Sequence, residues 1–192
     1  MRSSRRPHVP RAMTLPVALT GTPGTGKSSV AARLPSRVRA LELNRLAFLL
    51  GASRRRGGTE EVDLARVARA LRGRDPPPCD LVVGYLSHRL GLPNVIVLRC
   101  HPLELRRRLA ATQRGTSAER FENFEAEATD VLLMEALRSG RRVWEIDTTG
   151  RSVESVARKV AVRLRDRGPS AYGAVDWLAD PTVTAHLLDR PR

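Results

Sequence analysis

The stretch LTGTPGTGKSS, residues 19–29, decides the fold of this chain. It contains the pattern G-x-x-x-x-G-K-[S/T], from Gly21 to Ser28, between an apolar run at 15–20 and a helix-forming run at 28–34. Glycines at these positions let backbone N–H groups turn inward around phosphate oxygens. The motif requires a strand before it and a helix after it, and both are predicted here, so we expect a phosphate-binding loop.

The polar residues of this loop indicate the ligand. We expect Lys27 to reach the β- and γ-phosphates of a nucleoside triphosphate and the Ser28 hydroxyl to bind Mg²⁺. The chain uses arginine for nearly all of its cations and has lysine only at Lys27 and Lys159. A compact ammonium suits a phosphate cradle better than a planar guanidinium does. We therefore predict ATP and Mg²⁺ as the bound species, with nucleotide-binding positions at Gly21, Gly24, Thr25, Gly26, Lys27, Ser28 and Ser29.

Outward from the loop, short apolar runs alternate with runs of helical periodicity. Strands are predicted at 15–20, 38–43, 81–85, 94–99 and 143–147, and helices at 28–34, 44–50, 62–71, 103–111, 116–138 and 153–164. Residues 51–58 (GASRRRGG) are predicted to form a charged loop. The alternation predicts a three-layer α/β fold in which helices cover both faces of a five-stranded parallel sheet.

The composition limits the other possibilities. A length of 192 residues, 41% of them hydrophobic, suggests one domain, at 14–167, between a basic extension at 1–13 and a second extension at 168–192. No run approaches the ~20 apolar residues of a membrane span. Cys79 and Cys100 form no metal-binding or disulfide pattern, so inert thiols in a reducing cytoplasm are expected.

The charge of the chain has two explanations. The formal net charge is +14, which favours a polyanionic partner, such as an RNA-rich particle. Almost all of this charge is arginine, and a general arginine bias would raise it without creating a binding site.

Five stretches together resemble the adenylate kinase isoenzyme 6-like family, which includes archaeal proteins of this size. They are LTGTPGTGKSS (19–29), VVGYLSH (82–88), VIVLRCHPLELRRRL (95–109), ENFEAEATDVLLMEAL (122–137) and EIDTTGRSVESVA (145–157). The resemblance spans about residues 15–164 and implies the three-layer P-loop fold of nucleoside monophosphate kinases. It also implies a kinase that acts on AMP and has ATPase activity. It also implies a role in maturation of the small ribosomal subunit and binding to a platform ribosomal protein.

The resemblance also implies roles for individual residues. Residues 42–63 correspond to the monophosphate-binding region, and residues 113–123 correspond to the lid. Arg114 in the lid and Arg151 in the TGR sequence match ATP-contacting arginines, and Lys27 and Arg114 are the implied catalytic residues. Arginines suit this task because guanidinium groups neutralise the charge that phosphoryl transfer spreads over the equatorial oxygens. Arg99 is expected to point towards the same edge of the sheet, unless it is a solvated surface charge.

One segment departs from the family pattern. The family ends its third strand with an acid, one further residue and a histidine, whereas this chain has Val83, Gly84 and Tyr85. Asp80 begins the strand, about 10 Å from the edge where an acid would be needed, at ~3.3 Å per residue. The candidates to replace the missing acid are Glu42, Asp147 and His88.

Two functional hypotheses follow. The first is an ATP:nucleoside monophosphate phosphotransferase with weak ATPase activity. The second is an ATP-binding ribosome-assembly switch with little turnover, because the acid and the histidine of the third strand are missing. A small GTPase is disfavoured, because the chain has no N-K-x-D motif for reading a guanine base.

Overall fold

A five-stranded parallel sheet forms the centre of the protein. In the computed structural model, which describes residues 15–56 and 59–189, the strands in chain order are β1 (Val17–Thr20), β2 (Ala40–Glu42), β3 (Ser53–Arg56), β4 (Thr59–Val62), β5 (Leu81–Val83), β6 (Asn94–Arg99) and β7 (Arg142–Asp147). The main sheet has the order β2-β5-β1-β6-β7, and all its pairings are parallel. The predicted fold class is therefore confirmed. The predicted basic extension at 1–13 lies outside the described residues.

The prediction of a charged loop at 51–58 was wrong in part, because β3 and β4 form a separate antiparallel hairpin. Arg54 lies opposite Glu61 in the register of this pair. Opposite charges that face each other across two strands favour pairing. The register thus places acids across from the arginine run, which the sequence of the run alone does not show.

Helices cover both faces of the sheet. In chain order they are α1 (Lys27–Ala32), α2 (Leu43–Leu49), α3 (Leu64–Arg72), α4 (Pro102–Ala111), α5 (Ser117–Ala128), α6 (Val131–Arg138), α7 (Val153–Arg165) and α8 (Pro181–Leu188), with a 3₁₀ helix at Ser87–Leu90. One apolar cluster packs α2, α3 and α6 against the sheet, and a second packs α1 and α7. Since strands of a parallel sheet bury both faces, the two clusters account for the apolar runs of the sequence.

The long helix predicted over 116–138 is broken into α5 and α6. Its predicted start is confirmed, because Thr116 and Glu119 form a reciprocal capping box. The break occurs at Asp130, whose φ of 58° places it in the left-handed region. An aspartate tolerates this conformation better than most residues, and helical periodicity continues on both sides, so the pattern of apolar residues conceals the break.

Residues 168–189 pack against the domain. Ala171 pairs with Trp144 of β7, and the Trp144 indole Nε1 donates a 2.8 Å hydrogen bond to the Pro169 carbonyl. From α8, Val183 is fully buried against Phe121 and Phe124 of α5. In the part of the chain that the structure describes, no helix has the length and apolarity of a membrane span. Both cysteines are buried free thiols, and burial raises the pKa of each to about 11.

Candidate nucleotide-binding site

The loop between β1 and α1 depends on glycine for its shape. Gly21, Gly24 and Gly26 have φ values of 145°, 94° and 92°, which L side chains rarely adopt. A Cβ atom on Gly21 would also lie 2.5 Å from the Leu98 carbonyl oxygen. At the helix end of the loop, the backbone N–H groups of Gly26 and Lys27 form no hydrogen bond with any described residue. These inward-turned donors are what a phosphate-binding loop requires.

The Lys27 side chain is held in the loop by hydrogen bonds to backbone carbonyl groups. Its Nζ donates hydrogen bonds to the carbonyl oxygens of Gly21 and Thr22, at 2.7 and 3.0 Å. Burial lowers the pKa of this amine to about 8, against the raising effects of Glu127 and Glu42. A phosphate beside the amine would favour the ammonium form and raise the pKa again. Lys27 is therefore arranged to exchange neutral carbonyl partners for charged oxygens.

A buried ionic cluster supports the loop from behind. The Thr22 hydroxyl donates to the Glu127 carboxylate, and the other oxygen of this carboxylate accepts a 2.8 Å bond from Arg99 Nε. Arg99 also donates to the carboxylates of Asp130 and Glu145. Burial alone would lower the pKa of Arg99, but Glu127 and Asp130 raise it above its ordinary value. The cluster connects β6, β7 and the end of α5 to the base of the loop.

Both expectations for Arg99 were wrong. It neither points into the ligand site nor lies on the surface, because its side chain is 2% exposed and bonded to three carboxylates. A buried guanidinium requires such partners, since an unpaired charge in the interior is very costly. Arg99 is thus a structural residue that holds the loop in place.

In front of the loop lies an open cleft of about 880 Å³. All the predicted nucleotide-binding residues except Gly21 line it, and Gly21 instead has a conformational role at the start of the loop. The Thr25 hydroxyl donates a 2.9 Å hydrogen bond to the Thr22 carbonyl. The structure therefore brings together the loop, the lid arginine and the TGR arginine, which are far apart in sequence. The lining residues that matter for charge are Lys27, Glu42, Arg108, Arg114 and Arg151.

The three arginines of the cleft differ in how they are held. Arg114 and Arg151 are exposed, and their guanidinium groups bond to no described residue. Arg108 is fastened to Glu104 and to Thr148, through both the hydroxyl and the carbonyl of the threonine. Arg108 was not among the predicted site residues. Its helical position, six residues before Arg114 on the helix that leads to the lid, was the available signal.

The loop that carries Arg114 is shorter than the predicted lid. Of the predicted lid, residues 113–116 lie in the 112–116 connection between α4 and α5, and the rest forms the first turns of α5. Gln113 and Gly115 both have positive φ, at 51° and 70°, so the chain turns sharply here.

The monophosphate-binding region predicted at 42–63 forms α2 and the β3–β4 hairpin. Among the described residues of this region, Glu42, Leu43 and Asn44 line the cleft. Arg54 instead lines a smaller cavity of about 260 Å³ with Arg66.

The structure shows where the residues lie that replace the acid and the histidine of the family's third strand. Val83 ends β5 at the cleft and is almost fully buried, and Tyr85 lines the cleft with 42% exposure. As predicted, Asp80 lies at the opposite end of the strand. There it accepts a hydrogen bond from the Arg39 backbone N–H. Among the described residues no group of three or more His, Cys, Asp or Glu side chains is placed to hold a metal.

The donor set nevertheless fits a hydrated Mg²⁺ that arrives with phosphate. The Ser28 hydroxyl lines the cleft and bonds to no described residue, and Mg²⁺ in such sites takes most of its ligands from phosphates and water. Ser28 would hold the ion, which would neutralise phosphate charge.

Two of the three candidates to replace the missing acid are bonded to residues outside the cleft or to their own turn. His88 is buried between the Thr20 hydroxyl and Glu135, at 2.9 and 2.8 Å, and burial lowers its pKa. Asp147 accepts hydrogen bonds from the backbone and hydroxyl of Thr149. Neither residue lines the cleft, whereas Glu42 does.

Comparisons with known proteins identify relatives along most of the chain. A family model described as "AAA domain" matches residues 17–130. A protein from Thermococcus onnurineus named "Putative adenylate kinase" is 37% identical over 164 residues, which cover 84% of this chain and 90% of the relative. A protein of the same name from Halobacterium salinarum is 42% identical over 172 residues, covering 84% of this chain and 96% of the relative.

A solved structure agrees at the level of the fold. An uncharacterized protein from Eubacterium ventriosum superposes with a TM-score of 0.50 at 11% sequence identity, covering 80% of this chain and 100% of its own. The likeness concerns the arrangement of strands and helices alone.

Proposed function

The chain belongs to the AAA domain family and to the family of archaeal adenylate-kinase-like proteins, and from this membership we propose that it transfers the terminal phosphate of ATP to AMP. The observation that carries the proposal is Lys27, an ammonium held by neutral carbonyls inside a glycine loop that opens on a basic cleft. The proposal includes a slow hydrolysis of ATP when no acceptor is present.

The residues of the cleft would act by binding and orientation. Lys27 and the loop N–H groups would hold the β- and γ-phosphates, while Arg114 and Arg151, which have no other partners among the described residues, would close on the γ-phosphate. Transfer spreads negative charge over oxygens that guanidinium groups stabilise. Movement of the 113–116 loop would bring Arg114 in and exclude water.

A second function is favoured by one observation. Val83, at the end of β5, belongs to the apolar cluster under α1, so the strand offers no acid to the cleft. A site without that acid would keep its phosphate contacts but position Mg²⁺ less well and turn over slowly. ATP would then act as a switch ligand in assembly of the small ribosomal subunit, in the cytoplasm. The net charge of +14 and the resemblance to the isoenzyme 6-like family support a ribosomal partner, through rRNA or a platform protein.

The test is a purified protein supplied with ATP and Mg²⁺, with and without AMP, and with and without small ribosomal subunits. A kinase forms two ADP per ATP consumed and releases no phosphate, whereas an ATPase forms one ADP and one phosphate. A switch binds ATP and forms little of either product.

Lys27→Ala tests the loop itself. We expect at least a hundredfold loss of ATP affinity by calorimetry, because a charge-assisted bond to each of two phosphates is removed. Lys159→Ala is the matched control, since Lys159 is the other lysine of the chain and lies exposed on α7. Equal ATP affinity in both variants would refute the proposal.

A further inference from the structure

Glu42 occupies an unusual place, as an acid at the edge of a basic cleft. Among the described residues that line the cleft it has the one acidic side chain, against the cations of Lys27, Arg108, Arg114 and Arg151. We propose that Glu42 supplies the carboxylate of the Mg²⁺ site, in place of the acid that β5 lacks. This inference rests on the proposed nucleotide-binding function and deepens it.

The position of Glu42 follows from strand order. It is the last residue of β2, which pairs with β5 in parallel, and its register partner is Val83. Adjacent strands are about 4.8 Å apart, so an acid on β2 is displaced sideways by one strand from the family position but lies at the same depth along the sheet. Glutamate is longer than aspartate by one carbon–carbon bond, about 1.5 Å, and this added reach offsets part of the displacement.

The carboxylate is available for a cation. Glu42 is exposed, and its side chain forms no hydrogen bond or ion pair with a described residue. Its charge is nevertheless felt in the loop, since it raises the pKa of Lys27 against the larger effect of burial.

The chemistry of the pair suits magnesium. Mg²⁺ keeps several waters and is held by one or two carboxylates together with substrate phosphates. Ser28 and Glu42 line the same cleft and provide one hydroxyl and one carboxylate, neither of them bonded to a described residue. The remaining ligands would come from the nucleotide and from water.

The decisive measurement is the gain in nucleotide affinity that Mg²⁺ produces. The affinity for a non-hydrolysable ATP analogue is measured by calorimetry in Mg²⁺ and again in EDTA, and the ratio is compared between proteins. In Glu42→Gln we expect the ratio to fall about tenfold, the lower range seen when a residue that supports a metal site is removed. Affinity in EDTA should stay the same or increase, because a negative charge beside the phosphates is lost.

Two further variants sharpen the result. Glu42→Asp keeps the charge but shortens the reach, so its ratio should lie between those of the natural protein and Glu42→Gln. Asp166→Asn removes one exposed acid just after α7, away from the cleft, and should leave both affinities unchanged. Binding of Mn²⁺ to the protein–nucleotide complex, followed by electron paramagnetic resonance, gives a direct readout and should weaken in parallel.

An unchanged ratio in Glu42→Gln would overturn the inference, and so would an equal loss of affinity in Mg²⁺ and in EDTA. If the natural protein bound no analogue under either condition, the proposed function itself would fail. The two failures are therefore distinguishable in one set of titrations.

Discussion

Arginines lie both behind and in front of the phosphate-binding loop, and they are held in opposite ways. Arg99, behind the loop, is buried and bonded to Glu127, Asp130 and Glu145. Arg114 and Arg151, in front, are exposed and bond through their guanidinium groups to no described residue. The same type of side chain thus has a structural role behind the loop and is available to bind an anion in front of it.

The difference shows how to separate structural from functional charge in an arginine-rich chain. A buried guanidinium whose donors are all satisfied has nothing left to offer a ligand, and removing it leaves buried carboxylates unpaired. An exposed guanidinium without partners contributes little to stability and is free to bind phosphate. Stability and nucleotide affinity should therefore respond to different arginines.

The largest effect is expected on the structural side. Arg99→Met should lower the free energy of unfolding by about 3–5 kcal/mol, because Glu127 and Glu145 would remain buried without a cation. Urea denaturation measures this loss. Arg106→Met, on the exposed side of α4 and with no bonded partner among the described residues, is the control and should change stability by less than about 0.5 kcal/mol. Equal stability of the two variants would remove the distinction between the two kinds of arginine.

A smaller effect is expected in front of the loop. Arg151→Ala should weaken ATP binding by about tenfold to a hundredfold, since a hydrogen bond to a charged group contributes about 1.5–3 kcal/mol. Its stability should match that of the natural protein within about 0.5 kcal/mol. Calorimetry and urea denaturation on the same sample test both halves. A loss of stability without a loss of affinity would place Arg151 with Arg99 instead.

The smallest effect is a pH dependence that arises from Lys27. Its pKa is about 8 in the free protein, and bound phosphate would raise it, so binding favours the protonated amine. Affinity should therefore be full below about pH 8 and fall by up to about tenfold per pH unit above it. Lys27→Arg, whose guanidinium stays charged, should bind more weakly but without this dependence. A flat profile in the natural protein would contradict this account of Lys27.

The sequence predicted those parts of the structure that depend on local pattern. β6 was predicted residue for residue, because NVIVLR is a continuous apolar run with a proline on either side. The loop at Gly21–Ser28 was predicted because its positive φ values require glycines, and the spacing of those glycines forms a recognisable motif. Pattern also predicted that Asp80 would lie at the wrong end of its strand, since position along a strand is a local property.

What the sequence concealed depends on contacts between distant segments. Arg99 bonds to residues 28, 31 and 46 positions further along the chain, and no periodicity records such pairings. The β3–β4 pair is a local element, but it was missed because Arg54 lies opposite an acid, Glu61, only once the two strands are paired. In the site, Arg108 was missed because its contact with Thr148 joins segments 40 residues apart.

The 168–189 segment also affects the order in which the chain folds during synthesis. The backbone N–H groups of Gly173 and Ala174 bond to Glu145, and the Trp177 indole reaches Glu127, so this segment completes the cluster that supports the loop. It is translated after every element that it touches. Because chains fold as they emerge, the β1–α1 loop can form early while its support remains unfinished. A released chain that ends before residue 173 would thus contain every strand of the sheet and the loop, but Glu145 would lack its bonds from Gly173 and Ala174.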